Sequence, residues 1–125
     1  AVLCCVDDFM YCFRIGEAGV FHLAMMLRDN KGIKRLSLQS NRPDTGGARD
    51  LGLALRANKT MLSLNLGACN LTDDHASLLG AALVHNITLK ELDLRHNFLT
   101  DTGVNSMLQS LKVNVYLNHL RCVSV

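Results

Sequence analysis

Five histidines and five cysteines are the residues of this 125-residue chain best suited to move protons, bind metals or exchange electrons. His22, His75, His85, His96 and His119 lack the HExxH spacing that sets two imidazoles on one helix face, and no GxSxG, P-loop or paired-carboxylate motif occurs. Asp93, Arg95 and His96 form the one cluster worth weighing for proton transfer or metal binding, against a plain reading as a hydrated rim. Cys4, Cys5, Cys12, Cys69 and Cys122 are odd in number and include an adjacent pair but no CxxC, unlike a disulfide framework or a zinc site. They are expected as reduced thiols, with Cys69 and Cys122 in the core, which favours a reducing compartment. The expectation is a non-enzymatic protein with no catalytic, cofactor-binding or metal residues.

The elements that would position such residues follow from a period of 28. Leu36, Leu64, Leu92 and Leu120 fall in one register, with Leu38, Leu66, Leu94 and Cys122 two places on. Cys5, Ile33, Met61, Leu89 and Leu117 form a further apolar column, and Asn41, Cys69 and Asn97 a polar one. Ile15, Pro43, Leu71 and Leu99 align next, and Asn30, Asn58, Asn86 and Asn114 close the units. A fixed period of this size specifies a solenoid, whose function lies on a surface.

Each unit splits into two hydrophobic periods. Leu89 to Leu94 alternates, putting Leu92 and Leu94 on one face of a short strand and Glu91, Asp93 and Arg95 on the other. Leu79, Ala82 and Leu83 fall at helical spacing, after Thr72, Asp73 and Asp74 as a helix start that Thr100 and Asp101 repeat. Strands of successive units can then pair in parallel, with the helices as an outer layer, which makes the fold class α/β.

The stretch Leu89 to Gly103 resembles the LxxLxLxxNxLxxxG signature of leucine-rich repeats, and the Asn-x-Thr that closes a unit resembles their ribonuclease-inhibitor-like subtype. The resemblance implies a curved parallel sheet on the concave side and helices on the convex side. Proteins with this pattern include the ribonuclease inhibitor, a GTPase-activating protein, innate-immune sensors, tropomodulin-like actin caps and ciliary scaffolds, so fold kinship alone selects none of these roles.

One domain is expected over 1–125, with 1–32 as a degenerate repeat or cap, repeats at 33–60, 61–88 and 89–116, and a partial repeat at 117–125. In the first unit the 28-residue count puts Asp8 at the first strand leucine and Phe13 in the polar column. Pro43 and Asp44 favour a turn in the second unit. His75 replaces the glycine of Gly19, Gly47 and Gly103, so the third unit must adjust. Two of three sequons, at Asn58 and Asn86, are the closing motif itself, where Asn is expected to end a helix in a left-handed conformation; the third is at Asn70.

A net charge of +2 argues against a dedicated nucleic-acid binder, and no apolar span is long enough for membrane insertion. Residues 1–6 are too short and uncharged for a signal peptide, which makes the cytoplasm the expected compartment, with a cytoskeletal or ciliary setting suggested by the resemblance.

The strand residues facing away from the core form the expected protein-binding face. Counted at 28 they give Asp7, Arg35, Ser63, Glu91 and His119; Phe9, Ser37, Asn65, Asp93 and Arg121; and Tyr11, Gln39, Gly67, Arg95 and Val123. Arg35, Ser37, Gln39, Asn65, Glu91, Asp93, Arg95, His119 and Arg121 are the candidate contact residues for a protein partner, since mixed charge sets specificity and encounter rate. Leu117, Leu120 and Cys122 begin a unit without its helix, which suggests a fragment of a longer repeat protein or a component of a larger assembly. The alternative function is a catalytic accessory acting on a bound small GTPase, presenting Arg42, Arg95 or Asn97.

Overall fold

The computed structural model describes residues 2–122. The elements are β1 (Val2–Val6), β2 (Phe9–Phe13), α1 (Glu17–Asp29), β3 (Arg35–Ser37), α2 (Asp44–Ala57), β4 (Ser63–Asn65), α3 (Asp73–Leu83), β5 (Glu91–Asp93), α4 (Asp101–Leu111) and β6 (His119–Arg121). The described strands form one sheet in chain order, parallel from β2 to β6, while β1 pairs antiparallel with β2. Helices α1 to α4 pack side by side as the second layer. This is the expected α/β solenoid, and among its described residues no helix is long and apolar enough to cross a membrane.

The core lies between the layers, and its columns are those of the 28-residue period. Leu36, Leu64 and Leu92, then Leu38, Leu66 and Leu94, are all buried from the sheet side. Leu23, Leu51, Leu79 and Met107, with Leu27, Leu55 and Leu83, meet them from the helices. Truncating any of these leucines to alanine would cost about 2 to 5 kcal/mol, since the stacked layers can collapse only partly around the cavity.

The first unit departs from the expected register. Phe9 pairs with Arg35, Met10 with Leu36 and Tyr11 with Ser37, a separation of 26, whereas Arg35, Ser63, Glu91 and His119 follow at 28. Met10, not Asp8, therefore occupies the leucine column, and Cys5 leaves the apolar column for the hairpin, where it is exposed opposite Met10. The two residues are lost from the turn after the strand. Arg14, Ser40, Ala68 and His96 mark equivalent left-handed turn positions, with φ of 55°, 63°, 52° and 60°. Ile15 follows Arg14 directly, where Asn41 and Arg42 intervene between Ser40 and Pro43. The segment before Arg14 is thus a hairpin whose second strand belongs to the solenoid and whose first strand covers its edge.

Two side-chain ladders tie the units together. In the turn ladder the Asn97 amide donates to Leu66 O at 2.9 Å, one unit back, and to its own unit's Leu94 O at 2.9 Å, while its oxygen accepts from the N–H groups of Cys69 and Leu71. Asn41 repeats this against Cys12 O, Leu38 O and Ile15 N–H. Cys69 stands between them and donates its thiol to Leu38 O at 3.1 Å. In the second ladder, Asn58, Asn86 and Asn114 reach back to Leu27, Leu55 and Leu83 carbonyls at 2.7, 2.6 and 2.7 Å. Each also accepts from the N–H groups two and three residues ahead, as Asn86 does from Thr88 and Leu89. Asn58 is extended, with φ of −70°, as is Asn30 at −72°, and the left-handed ending expected at Asn58 and Asn86 is absent at both. Their side chains supply the turn hydrogen bonds that a left-handed residue would otherwise arrange.

His75 resolves the glycine column in its own way. Added Cβ atoms on Gly47 and Gly103 would lie 2.9 Å from Pro43 Cβ and within contact of the Asp73 carboxylate, so both sites are close approaches. His75 instead sits at the third helical position of α3 and reaches back, its Nδ1 accepting from Thr72 N–H at 2.9 Å. That places the ring proton on Nε2, which is buried and has no hydrogen-bond partner among the described residues.

Candidate protein-binding face

Short strands position the candidate residues, because alternation sends Leu36, Leu64 and Leu92 into the core and their neighbours outward. With the observed register the outward rows are Phe9, Arg35, Ser63, Glu91 and His119, then Tyr11, Ser37, Asn65, Asp93 and Arg121. Phe13, Gln39, Gly67 and Arg95 continue two places on. This corrects the rows that began with Asp7, Phe9 and Tyr11; Val123 lies outside the described residues. All nine candidate contact residues are on this face, exposed or half-buried.

The correction gathers an aromatic edge. Phe9 and Tyr11 ring centroids are 5.3 Å apart and Tyr11 and Phe13 are 5.4 Å apart, the second pair edge to face. Arg35 lays its guanidinium 5.2 Å from the Phe9 centroid and pairs with Asp8 at 3.2 Å. The three rings, with Arg14, Ser37 and Gln39, border an open groove of about 640 Å³. Phe13 is half exposed. It was missed because the 28-residue count put it in the polar column; the signal that finds it is the inward pair of half-buried Met10 and buried Cys12 alternating with Phe9, Tyr11 and Phe13.

The second row has a structural task as well as an exposed side chain. Ser37, Asn65 and Asp93 accept from the backbone N–H two residues ahead, at Gln39, Gly67 and Arg95. These bonds end the strands, while Asn65 also donates to Gln39 Oε1 at 3.2 Å. Arg95 folds back onto Asp93, with Nη2 at 2.7 Å from Oδ2. Partial burial alone would push the Asp93 carboxyl up, but the Arg95 hydrogen bonds with the charges of Arg95 and Arg121 hold it below the usual range. Glu91, His119 and Arg121 stay exposed around a shallow depression of about 130 Å³.

The residues named for a GTPase-directed role are held in place. Arg95 is committed to Asp93, and Asn97 to the turn ladder. Arg42 Nε lies 2.9 Å from the Asn70 side-chain oxygen when that amide is turned toward it. Among the described residues no three His, Cys, Asp or Glu side chains gather as metal ligands would.

The family described as Leucine Rich repeat matches residues 57–80 and 85–108. The chain is similar to a solved structure of Leiomodin-1 Actin-Binding Site 2, with a TM-score of 0.77 and 26% identity over 87% of this chain and 64% of that one. It is also similar in fold to the tropomodulin C-terminal domain of Caenorhabditis elegans, with a TM-score of 0.72 and 21% identity over 81% of this chain and 62% of that one. This chain therefore spans less than two thirds of either structure. No protein of curated function matches it significantly by sequence. The fold is that of a leucine-rich-repeat solenoid.

Proposed function

We propose that this chain is a non-enzymatic interaction module that binds a protein partner on its exposed sheet face. The aromatic row of Phe9, Tyr11 and Phe13 beside Arg35 carries the reading, because binding energy at protein interfaces concentrates on aromatic and arginine anchors. Glu91, Asp93, Arg95, His119 and Arg121 add a mixed-charge flank that would fix orientation, with Ser37, Gln39 and Asn65 between. A 28-residue unit with helices of 11 to 14 residues supports the ribonuclease-inhibitor-like subtype. A place in a longer protein or assembly is supported by the partial span of its structural neighbours. Unpaired cysteines at all five positions support a reducing, cytoplasmic setting.

The test is affinity capture with the intact chain beside a variant carrying Phe13→Ser, Glu91→Lys and Arg121→Glu, all at exposed positions. A partner set lost with the variant supports the sheet face, and partners retained by it sink the reading. A second reading, actin as that partner with a cytoskeletal location, is favoured by the likeness to the Leiomodin-1 actin-binding site. Co-sedimentation with filamentous actin separates the two: a chain that stays in the supernatant removes actin and leaves the interaction reading to the capture experiment.

A further inference from the structure

The helical layer carries an apolar stripe that a sheet-face module leaves unused. The repeat places Met25 of α1, Leu53 of α2 and Ala81 of α3 in equivalent positions, all exposed, and Leu53 reaches 59% exposure. Phe21 stands one turn before Met25 and is also exposed. Two grooves meet at Leu53. One of about 90 Å³ lies between α1 and α2, lined by Phe21, Met25, Leu53 and Ala54. The other, of about 160 Å³, lies between α2 and α3, lined by Gly52, Leu53, Leu78 and Ala81. Small residues create them: Gly52 lets α3 approach until an added Cβ would sit 3.4 Å from Leu78 O, so Leu53 stands out as a ridge between two furrows.

The rim of this stripe is basic. Arg28, Arg49 and Arg56 line the grooves, and Asp50 is the single acid that does so. Arg28 makes a loose contact with Asp29 at 3.4 Å, and among the described residues Arg49 and Arg56 make no ion pair. One exposed leucine is ordinary on a soluble protein; a continuous apolar ridge between two furrows with unpaired guanidinium groups beside it is not.

Spacing narrows the occupant further. Packed helices lie about 8 to 10 Å apart, so the furrows on either side of α2 repeat at roughly that interval. A helix rises 1.5 Å per residue, so side chains seven residues apart share a face at about 10.5 Å. We propose that the helical layer is a second docking surface, taking an amphipathic helix of a partner protein laid across α1 to α3. Two apolar anchors seven residues apart fill the furrows flanking Leu53, and carboxylates on the same helix face Arg28, Arg49 and Arg56. This is the helix-in-groove mode with charge supplying orientation.

The probe is a fluorescein-labelled 18-residue helical peptide with two leucines seven residues apart and flanking glutamates, titrated with the whole chain by fluorescence anisotropy. Expected is saturable binding to the intact chain, at least tenfold weaker to Leu53→Asp and to the Arg49→Glu, Arg56→Glu pair, and unchanged by Glu91→Lys. A peptide with lysines for the glutamates, or with its second leucine moved to the opposite face, should bind at least tenfold more weakly. Absence of saturable binding, equal binding of the lysine peptide, or indifference to Leu53→Asp would overturn the proposal. So would self-association of the chain that Leu53→Asp abolishes, which would assign the stripe to a second copy. Leu53 is largely exposed, and circular dichroism of each variant verifies the fold before titration.

Discussion

The Cys69 thiol lies 3.1 Å from the carbonyl oxygen of Leu38, doing with sulfur what the Asn97 amide does at Leu66 one unit later. The substitution fits its surroundings. Asn97 accepts from the N–H of Leu71, but Pro43, which holds the Leu71 position one unit earlier, has no N–H to offer. A side chain at position 69 thus has fewer donors to satisfy.

From this follows an asymmetry along the turn ladder. Asn97→Ala strands the N–H groups of Cys69 and Leu71 and should cost about 2 to 6 kcal/mol, at about 1 to 3 kcal/mol per unmet buried group. Cys69→Ala should cost about 1 kcal/mol, because Leu38 O keeps the Asn41 amide at 2.9 Å. Urea unfolding of both variants checks this, and equal losses would refute the ladder account.

At the helix-end ladder, Asn86→Ala should destabilise by about 2 to 4 kcal/mol, since several buried partners lose their hydrogen bonds together. Asn86→Asp should not rescue it, because the carboxylate lacks the amide donor that meets the Leu55 and Asn58 carbonyls. Thermal unfolding of the two variants measures it. Asn70 is exposed but left-handed, with φ of 56°, so alanine there should cost about 1 kcal/mol, less than at Asn86.

Asp73 of α3 should confer pH-dependent stability. Its carboxylate accepts from the Thr100 hydroxyl and backbone N–H, which hold its titration below the ordinary 3.8, with Gly103 N–H assisting. A folded value below the unfolded one means the contribution is complete above the unfolded range and is lost as pH falls through the lowered value. The melting-temperature gap between the intact chain and Asp73→Asn should be constant near neutrality and close in acid below pH of about 4. A gap that persists unchanged in acid would exclude this origin.

The cysteines should differ in reactivity. Burial, then the nearby Cys5, pushes the Cys12 thiol up to about 11, and burial also raises Cys69 against the opposing N–H groups of Asn41 and Ser40. Cys5 is exposed. A maleimide pulse at pH 8 with peptide mapping should mark Cys5 at once and leave Cys12 and Cys69 unmodified until urea is added.

At the start of α3, His75→Gln should retain stability within about 0.5 kcal/mol, since glutamine at the third helical position can also accept from the N-cap N–H, whereas His75→Leu should lose about 1 to 2 kcal/mol. Parallel melts of the two variants decide it; a leucine variant as stable as the parent would show the Thr72 contact to be idle.

Most of the fold was legible because Leu36, Leu64, Leu92 and Leu120 mark the sheet and Leu27, Leu55 and Leu83 mark the helices at one period. The first unit was misread for a physical reason. Ile15, Leu23, Leu27 and Asn30 keep the 28-residue count through the helical half, and the two missing residues fall in the turn, where the first unit lacks the counterparts of Asn41 and Arg42 that would have recorded the register. A slip of two also preserves strand parity, so alternation cannot reveal it. The outward face was therefore correct while its rows were not, and the aromatic edge emerged only from the pairing of Phe9 with Arg35. Asparagine columns were visible as columns, yet their use of the preceding unit's carbonyls depends on stacking that one unit's sequence does not express.

Both ladders run one way, from a side chain in one unit to the backbone of the unit before it. Under tension along the stack, sheet bonds and two rows of side-chain rungs would share the load at the three seams from β2 to β5. The seams are unequal, because between β3 and β4 one rung is sulfur and between β4 and β5 the Asp73 to Thr100 pair adds another. Pulled lengthwise, the seam between the units of β3 and β4 would bear on a sulfur rung in the turn where the seams on either side of it bear on an amide, so Cys69 sets an unevenness along the array.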